Sequence, residues 1–130
     1  MTFIDASAYL SFLIPTDRNH DKAPHLISRI EDDTMTSYAI LGEVLTVGSL
    51  RYNRQAAVDF VSDILKGKTT VVMENEELIA LAFNVFGKIK DKDVSWVDCY
   101  SFAIIEKYQI ETIFSFDRDF KTYTKAKVLG

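Results

Sequence analysis

The chain has 130 residues, of which 48% are hydrophobic, and its formal net charge is −4 at pH 7. These values exclude a disordered chain and predict a single domain over residues 1–130 that can bury a substantial core. The acidic balance also excludes a general basic field, so a nucleic-acid substrate would have to be held by local basic groups or by a metal ion.

Features that the sequence lacks indicate the cellular setting. Cys99 is the only cysteine, which rules out an intrachain disulfide and suits a reducing compartment. The amino terminus has no basic segment of a signal peptide, and no apolar run approaches the ~18 residues of a membrane span. The sequence therefore predicts a cytoplasmic protein with no membrane association.

Strands and helices alternate in the first half of the chain. Residues 2–5 read as a strand and 6–14 as a helix that ends before Pro15. Asp21 and Pro24 indicate a helix start, and apolar residues at helical spacing follow as far as Ile30. Residues 35–38 are a weak strand candidate. Residues 39–50 have helical spacing but are apolar on almost every face, so this helix is predicted to be buried.

The alternation continues in the second half. Helices are predicted at 54–66, at 76–86 with Gly87 as its end, and at 95–108. Strands are predicted at 69–73, 113–116 and 126–129, and the charge-alternating run 88–93 reads as a solvated loop. Such alternation predicts a parallel sheet covered by helices on both faces, with ligands at the carboxyl ends of the strands where strand order reverses.

Two acidic residues in the first half occupy unexpected positions. Asp5 ends the first strand, where it would either cap the next helix or face a ligand. Glu43 lies within the apolar helix 39–50, where an ionised carboxylate is costly unless it is paired or bound to a metal. The structural alternative is a position at the helix edge, with Glu43 reaching water, Arg51 or Arg54.

Three further acids follow in the second half. Ser95 and Asp98 have the spacing of a capping box, so a structural role for Asp98 is the simpler reading. Asp117 ends the fourth strand and Asp119 lies two residues later, and both could be first-turn acids of a helix. Either of them could supply a fourth acid to a site.

Taken together, Asp5, Glu43, Asp98 and Asp117 predict a shared site. In a parallel sheet the ends of the first and fourth strands can be neighbours, and the helices that carry Glu43 and Asp98 can face the same crevice. Four carboxylates in one cleft would repel one another, and a hard divalent cation such as Mg²⁺ or Mn²⁺ removes that repulsion. Such a site suits phosphodiester hydrolysis and needs no His, Cys or Ser nucleophile.

The same residues lie in motifs that resemble a known family. "FIDASAYL" around Asp5, "AILGEVL" around Glu43, "VSWVDCYS" around Asp98 and "IFSFDRDF" around Asp117 resemble the PIN-domain ribonucleases. Their order and spacing look most like the VapC-type toxins of toxin–antitoxin pairs, over essentially the whole chain. The resemblance implies a three-layer α/β/α domain with a central, mainly parallel five-stranded sheet.

The resemblance also implies functional roles. Asp5, Glu43, Asp98 and Asp117 would be the catalytic acids, and Asp5, Asp98 and Asp117 would bind Mg²⁺ or Mn²⁺. The supporting positions would be Ser7, Ser95, Ser115 and Asp119. Arg118 and Lys121 are the basic residues nearest to the motifs and are the candidates for binding RNA. Family members commonly form homodimers and are inhibited by an antitoxin protein, so both partners are expected here.

Three alternatives remain open at this point. A catalytically silent PIN-like interaction module predicts the same fold, and only activity or metal binding separates the two. A haloacid-dehalogenase-like phosphatase also uses a first-strand Asp with Mg²⁺. Its Asp-x-Asp pattern needs a second Asp two residues later, however, and this chain has Ser7 at that position. A signalling receiver domain needs a phosphoacceptor at the end of its third strand, where this chain has Val72 and Met73.

Overall fold

The computed structural model describes residues 1–130 and contains five strands and seven helices. In chain order the elements are β1 (Thr2–Ile4), α1 (Ala6–Leu13), α2 (Ala23–Ile27), β2 (Thr34–Ser37), α3 (Tyr38–Arg51), α4 (Arg54–Lys66), β3 (Thr70–Val72), α5 (Glu76–Lys88), α6 (Trp96–Lys107), β4 (Thr112–Phe114), α7 (Asp119–Tyr123) and β5 (Lys127–Leu129). No helix combines the length and the apolar character that a bilayer crossing requires.

The five strands form one sheet in the order β3-β2-β1-β4-β5, and every pair of neighbours is parallel. Helices flank this sheet, so the predicted three-layer α/β/α architecture is confirmed. Strand order reverses at β1, because the chain builds outwards to β2 and β3 on one side and later to β4 and β5 on the other. A crevice for ligands is expected at such a reversal.

The hydrophobic core is centred on β1 and β4. Phe3, Ile113 and Phe114 are fully buried and belong to a cluster of 29 buried apolar residues. Central parallel strands are apolar on both faces because helices cover both sides of the sheet. Helix α6 supplies a long buried stretch of the core, in agreement with its mostly apolar sequence, and Cys99 is a buried core thiol within it.

The prediction that the helix at residues 39–50 is buried on almost every face is wrong. Helix α3 packs through one face only, and Leu50 on the opposite side is 82% exposed. Gly48 lies at the packed face, where a Cβ atom would be 2.5 Å from Leu13 Cδ2 and 3.3 Å from Ala57 Cβ. This glycine lets α3 approach α1 and α4 closely, while the outer apolar residues have no partner within the chain.

Three element ends differ from the predicted ones by more than one residue. Helix α2 ends at Ile27 and does not reach Ile30, and Lys22 provides no side-chain cap for it. Gly87 does not end α5, because the helix continues to Lys88 and the Ile89 N–H still donates to the Val85 carbonyl. Strand β4 stops at Phe114, since the residues that follow it turn into the crevice described below.

Candidate metal centre

The candidate site lies at the carboxyl ends of β1 and β4. These strands are paired with Ile4 opposite Phe114, and the Asp5 N–H donates to the Phe114 carbonyl at 3.0 Å. Asp5 and Ser115 are therefore the first residues beyond two adjacent strand ends. The sequence-based expectation that the first and fourth strands are neighbours is confirmed.

Asp5 is held at the floor of the crevice. It is only 4% exposed, and its Oδ2 accepts hydrogen bonds from Ser7 Oγ at 2.7 Å, Ser115 Oγ at 2.9 Å and the Ser7 N–H at 3.2 Å. It also caps α1, so the structural and the site roles coincide in one residue. Burial raises the pKa of the Asp5 carboxyl group, and the hydrogen bonds from the two serines oppose that rise.

The two serines connect the end of β1 to the turn after β4. Ser7 Oγ lies 3.1 Å from Ser115 Oγ and accepts a hydrogen bond from the Phe116 N–H at 2.9 Å. Ser115 Oγ accepts from the Asp117 N–H at 3.0 Å, and Asp117 Oδ1 accepts from the Asp119 N–H at 2.9 Å. This network fixes the backbone that presents the two acids of the turn.

Three carboxylates converge above that floor. Asp98, Asp117 and Asp119 are all half-buried, and each offers an oxygen atom within 4.8 Å of the oxygens of the other two. The predicted metal-ligand set consisted of Asp5, Asp98 and Asp117, so the structure adds Asp119 to the carboxylates that lie together. Asp5 is not part of this group of three, and its Oδ2 is occupied by the two serines.

Asp98 reaches the cluster from the first turn of α6. Its Oδ2 accepts from the Ser95 N–H at 3.0 Å, and Ser95 Oγ accepts from the Asp98 N–H at 3.1 Å, which completes the predicted capping box. The cap and the acidic cluster therefore share one side chain. Burial raises the pKa of Asp98, and the nearby charges of Asp117 and Asp5 raise it further, while the hydrogen bonds with Ser95 lower it.

Glu43 faces the same cluster from α3. Burial raises its pKa from 4.5 to about 7, and the negative charges of Asp5, Asp98 and Asp117 add to the rise. Of the structural alternative, in which Glu43 reaches water, Arg51 or Arg54, neither ion pair forms, and the Arg51 guanidinium instead contacts Asp17 Oδ2 at 3.4 Å; Glu43 is half-buried and so keeps partial access to water. Glu43 is thus a partly buried carboxyl group whose charged neighbours here are acids.

A divalent cation fits this donor set. Oxygen ligands from several carboxylates suit a hard cation, and burial, together with the negative charges of the neighbouring acids, raises the pKa values of Glu43 and Asp98. Burial is the main cause of the raised pKa of Asp119, and the negative charges of Asp117, Asp98 and Asp91 raise it further. The centre can therefore hold a divalent metal ion, and it is the one group of ligating side chains in the protein with that arrangement.

The basic candidates and one missed acid lie around the cluster. Arg118 and Lys121 are exposed at the start of α7 and belong to none of the ion pairs of the structure. Asp91, which the sequence assigned to a solvated loop, lies close enough for its charge to raise the pKa of Asp119. The alternating charges of that loop do not indicate that Asp91 lies near Asp119.

A three-layer α/β/α fold with an acidic centre at the reversal of strand order is the architecture expected of a metal-dependent nuclease domain. The sequence profile of the PIN domain family matches residues 2–126. The chain belongs to the PIN domain family, and the resemblance to VapC-type members is confirmed.

Individual relatives agree with this assignment. The chain is 29% identical over 120 residues to the "23S rRNA-specific endonuclease VapC20" of Mycobacterium tuberculosis, covering 92% of each sequence. The crystal structure of M. tuberculosis VapC20, described as a sarcin-ricin loop cleaving toxin, superposes with a TM-score of 0.88 at 27% identity and 94% coverage of both chains. FitAcB from Neisseria gonorrhoeae has the same fold, with a TM-score of 0.69, 17% identity, and coverage of 100% of this chain and 97% of that chain.

Proposed function

We propose that this protein is a metal-dependent endoribonuclease that hydrolyses phosphodiester bonds of RNA in the cytoplasm, as the toxin of a type II toxin–antitoxin pair. One observation carries the proposal: three carboxylate side chains converge within 4.8 Å at the strand-order reversal of a PIN domain. The similarity to a named rRNA endonuclease over 92% of the chain supports ribosomal RNA as the first substrate to examine.

Asp98, Asp117 and Asp119 would hold Mg²⁺ or Mn²⁺, with Asp5 supporting the ion from the floor of the crevice. When bound, the divalent ion supplies Lewis-acid stabilisation of the charge on the phosphoryl group. Ser7, Ser95 and Ser115 orient the acids through the hydrogen bonds described above. The three serines thereby fix the carboxylates before RNA binds.

Glu43 is suited to accept a proton from the attacking water. In the metal-free site its carboxyl group has a pKa of about 7, and a divalent cation beside it would lower that pKa, so that the carboxylate would be ionised near neutral pH and able to accept a proton. Arg118 and Lys121 would contact phosphates of the RNA on either side of the cleaved bond, since both are exposed beside the cluster. These assignments separate the acids that would hold the ion from the acid that would accept the proton.

An antitoxin protein is the proposed inhibitor. Several structural neighbours are complexes of a toxin with its partner, including FitAB bound to DNA and VapBC2 of Rickettsia felis bound to a promoter fragment. On this chain, a groove of about 370 Å³ between α3 and α4 is lined by Leu45, Leu50 and Val58, and Arg54 lies at its side. Its apolar lining suits an amphipathic segment of the antitoxin.

A homodimer is proposed through the outer face of α5. Ile79, Phe83 and Phe86 are exposed on one side of this helix, and Trp96 of α6 packs edge-on against Phe86. Phe83 alone is 73% exposed. With roughly 200 Å² for each aromatic side chain and a similar area for Ile79, the exposed part amounts to about 400 Å² per copy, or about 800 Å² in a symmetric pair. That is a large part of the ~1,200 Å² of the smaller specific interfaces.

Cleavage of RNA tests the proposed activity directly. Purified protein is incubated with ribosomes or total RNA and Mg²⁺ or Mn²⁺, and the new RNA ends are mapped. We expect cleavage that is abolished by EDTA and by Asp98→Asn, and that is retained by Asp63→Asn, a matched change at an exposed acid of α4. Cleavage that persists in EDTA and in Asp98→Asn would contradict the proposal.

Metal binding and substrate turnover, measured together, separate the nuclease from the silent module and from the phosphatase. Titration with Mn²⁺, followed by calorimetry, should show binding to the wild type that Asp98→Asn weakens. Metal binding without cleavage of any RNA would overturn the nuclease and favour the silent PIN-like module. Turnover of small phosphomonoesters would favour the phosphatase instead.

A further inference from the structure

Tyr38 lies beside the acidic crevice, at the next strand end in the sheet. Strand β2 pairs with β1 with Phe3 opposite Met35, so Asp5 lies level with Ser37, and Tyr38 is the following residue. On the other side, Ser37 is opposite Val72 of β3, and Tyr38 and Met73 are the residues that follow these two adjacent strand ends. Because neighbouring strands are about 4.8 Å apart, the Cα atoms of Tyr38 and Asp5 are within roughly 8 Å.

The Tyr38 ring is available to a ligand. Its side chain is 51% exposed, and that of Met73 is 60% exposed, so an apolar surface borders a polar site. By contrast, Trp96 at the start of α6 is already packed, with ring centroids 6.2 Å from both Phe86 and Tyr100. Tyr38 takes part in none of the aromatic ring pairs of the structure.

The local backbone holds Tyr38 in a fixed position. Ser37 caps α3 by accepting a hydrogen bond from the Ile40 N–H at 3.1 Å, and Tyr38 is the first residue of that helix. The Ser37 side chain is fully buried. An aromatic ring on such a rigid support loses little conformational freedom when it binds a flat ligand.

We propose that Tyr38, beside Met73, stacks against an unpaired base of the RNA next to the nucleotide whose phosphodiester bond is cleaved. The proposal depends on the ribonuclease function proposed above, and it identifies a residue that selects the substrate. The net charge of −4 leaves little general attraction for phosphates, so base stacking supplies affinity that a basic surface provides in other RNA-binding proteins. It also favours RNA loops over duplexes, because bases in a duplex are not free to stack on a side chain.

A matched pair of tyrosines provides the test. Tyr52 is also 51% exposed, but it lies beyond the carboxyl-terminal end of α3, away from the crevice. We expect Tyr38→Ala to lower kcat/KM on a cleaved RNA oligonucleotide about tenfold or more, the usual effect of removing a base–aromatic stack. Tyr38→Phe should stay within about twofold of the wild type, and Tyr52→Ala should have no effect. Equal effects of Tyr38→Ala and Tyr52→Ala would overturn the proposal.

Abasic substitution identifies the stacked base. A series of oligonucleotides, each with one abasic nucleotide near the cleaved bond, is compared between the wild type and Tyr38→Ala. The wild type should lose activity at one position, and Tyr38→Ala should show no additional loss at that position, because the stack is already absent. Additive losses at every position would show that Tyr38 does not contact a base.

A direct measurement of RNA binding tests this proposal independently of the proposed activity. The same oligonucleotides are bound to the Asp98→Asn protein, with and without Tyr38→Ala, and followed by fluorescence anisotropy. Normal cleavage with no effect of Tyr38→Ala overturns the stacking proposal and leaves the nuclease intact. If the wild type cleaves no RNA but the Asp98→Asn protein binds RNA in a way that depends on Tyr38, the nuclease is overturned and stacking is supported. Absence of both binding and cleavage overturns both.

Discussion

Replacement of Glu43 by glutamine should stabilise the metal-free protein while abolishing cleavage. The pKa of Glu43 is raised from 4.5 to about 7, so the folded protein binds this proton more tightly than the unfolded chain does. The metal-free fold therefore loses stability as the pH rises from about 4.5 through about 7. A rise of this size corresponds to at most about 3 kcal/mol, and because solvent screens the partly exposed side chain we expect about 1–2 kcal/mol.

Glu43→Gln removes the charge and preserves the shape of the side chain. In EDTA at pH 8 the variant should be more stable than the wild type by about 1–2 kcal/mol, or roughly 4–8 °C in Tm. At pH 4.5 the difference should be small, because the wild-type carboxyl group is then almost fully protonated in the folded state and about half protonated in the unfolded chain. Urea unfolding at pH 4.5, 6 and 8 measures this difference, with Glu31→Gln as a control at an exposed acid outside the site.

Addition of Mn²⁺ should reverse the order at pH 8. The wild type should gain more stability than Glu43→Gln, because the ion binds the folded state and relieves repulsion that the variant no longer has. RNA cleavage by Glu43→Gln should fall at least 100-fold if Glu43 accepts the proton. A variant that is equally stable or less stable than the wild type in EDTA at pH 8 would refute the assigned causes of the raised pKa.

Three further experiments test other parts of the structure. Ser115→Ala removes a hydrogen bond to buried Asp5 and should cost about 1–3 kcal/mol in urea unfolding together with a loss of cleavage; an unchanged midpoint would contradict the network. Gly48→Val should destabilise the fold by about 2 kcal/mol or more through overpacking, whereas Gly42→Ala, where a Cβ meets nothing within 4 Å, should be neutral or stabilising. Phe83→Asp should convert a dimer into a monomer in light scattering after gel filtration, and a dimer that persists would exclude the α5 face.

Much of the fold follows from local sequence patterns. The alternation of strands and helices, with glycine and asparagine at helix ends, is sufficient to predict a parallel sheet covered on both faces. From that architecture alone, the convergence of Asp5 and the turn at Asp117 can be expected, since β1 and β4 both end at the same edge of the sheet. The capping box at Ser95 and Asp98 can likewise be recognised from the sequence, because it depends on three-residue spacing at the start of one helix.

Features that depend on contacts between residues far apart in the sequence could not be predicted from it. Apolar spacing in α3 cannot tell which faces other helices cover, and Leu50 is exposed because no element packs over it. Similarly, the choice between Asp5 and Asp119 as a member of the closest carboxylate group depends on the direction of each side chain. Two serines hold Asp5 Oδ2, whereas Asp119 turns towards Asp98 and Asp117.

The hydrogen bonds between the end of β1 and the turn after β4 have a consequence for biosynthesis. Ser7 and Ser115 are 108 positions apart, and the acids at 117 and 119 follow the second serine. During translation the early residues leave the ribosome long before their late counterparts exist. The carboxylates that converge at the crevice can therefore come together only after synthesis has passed residue 119.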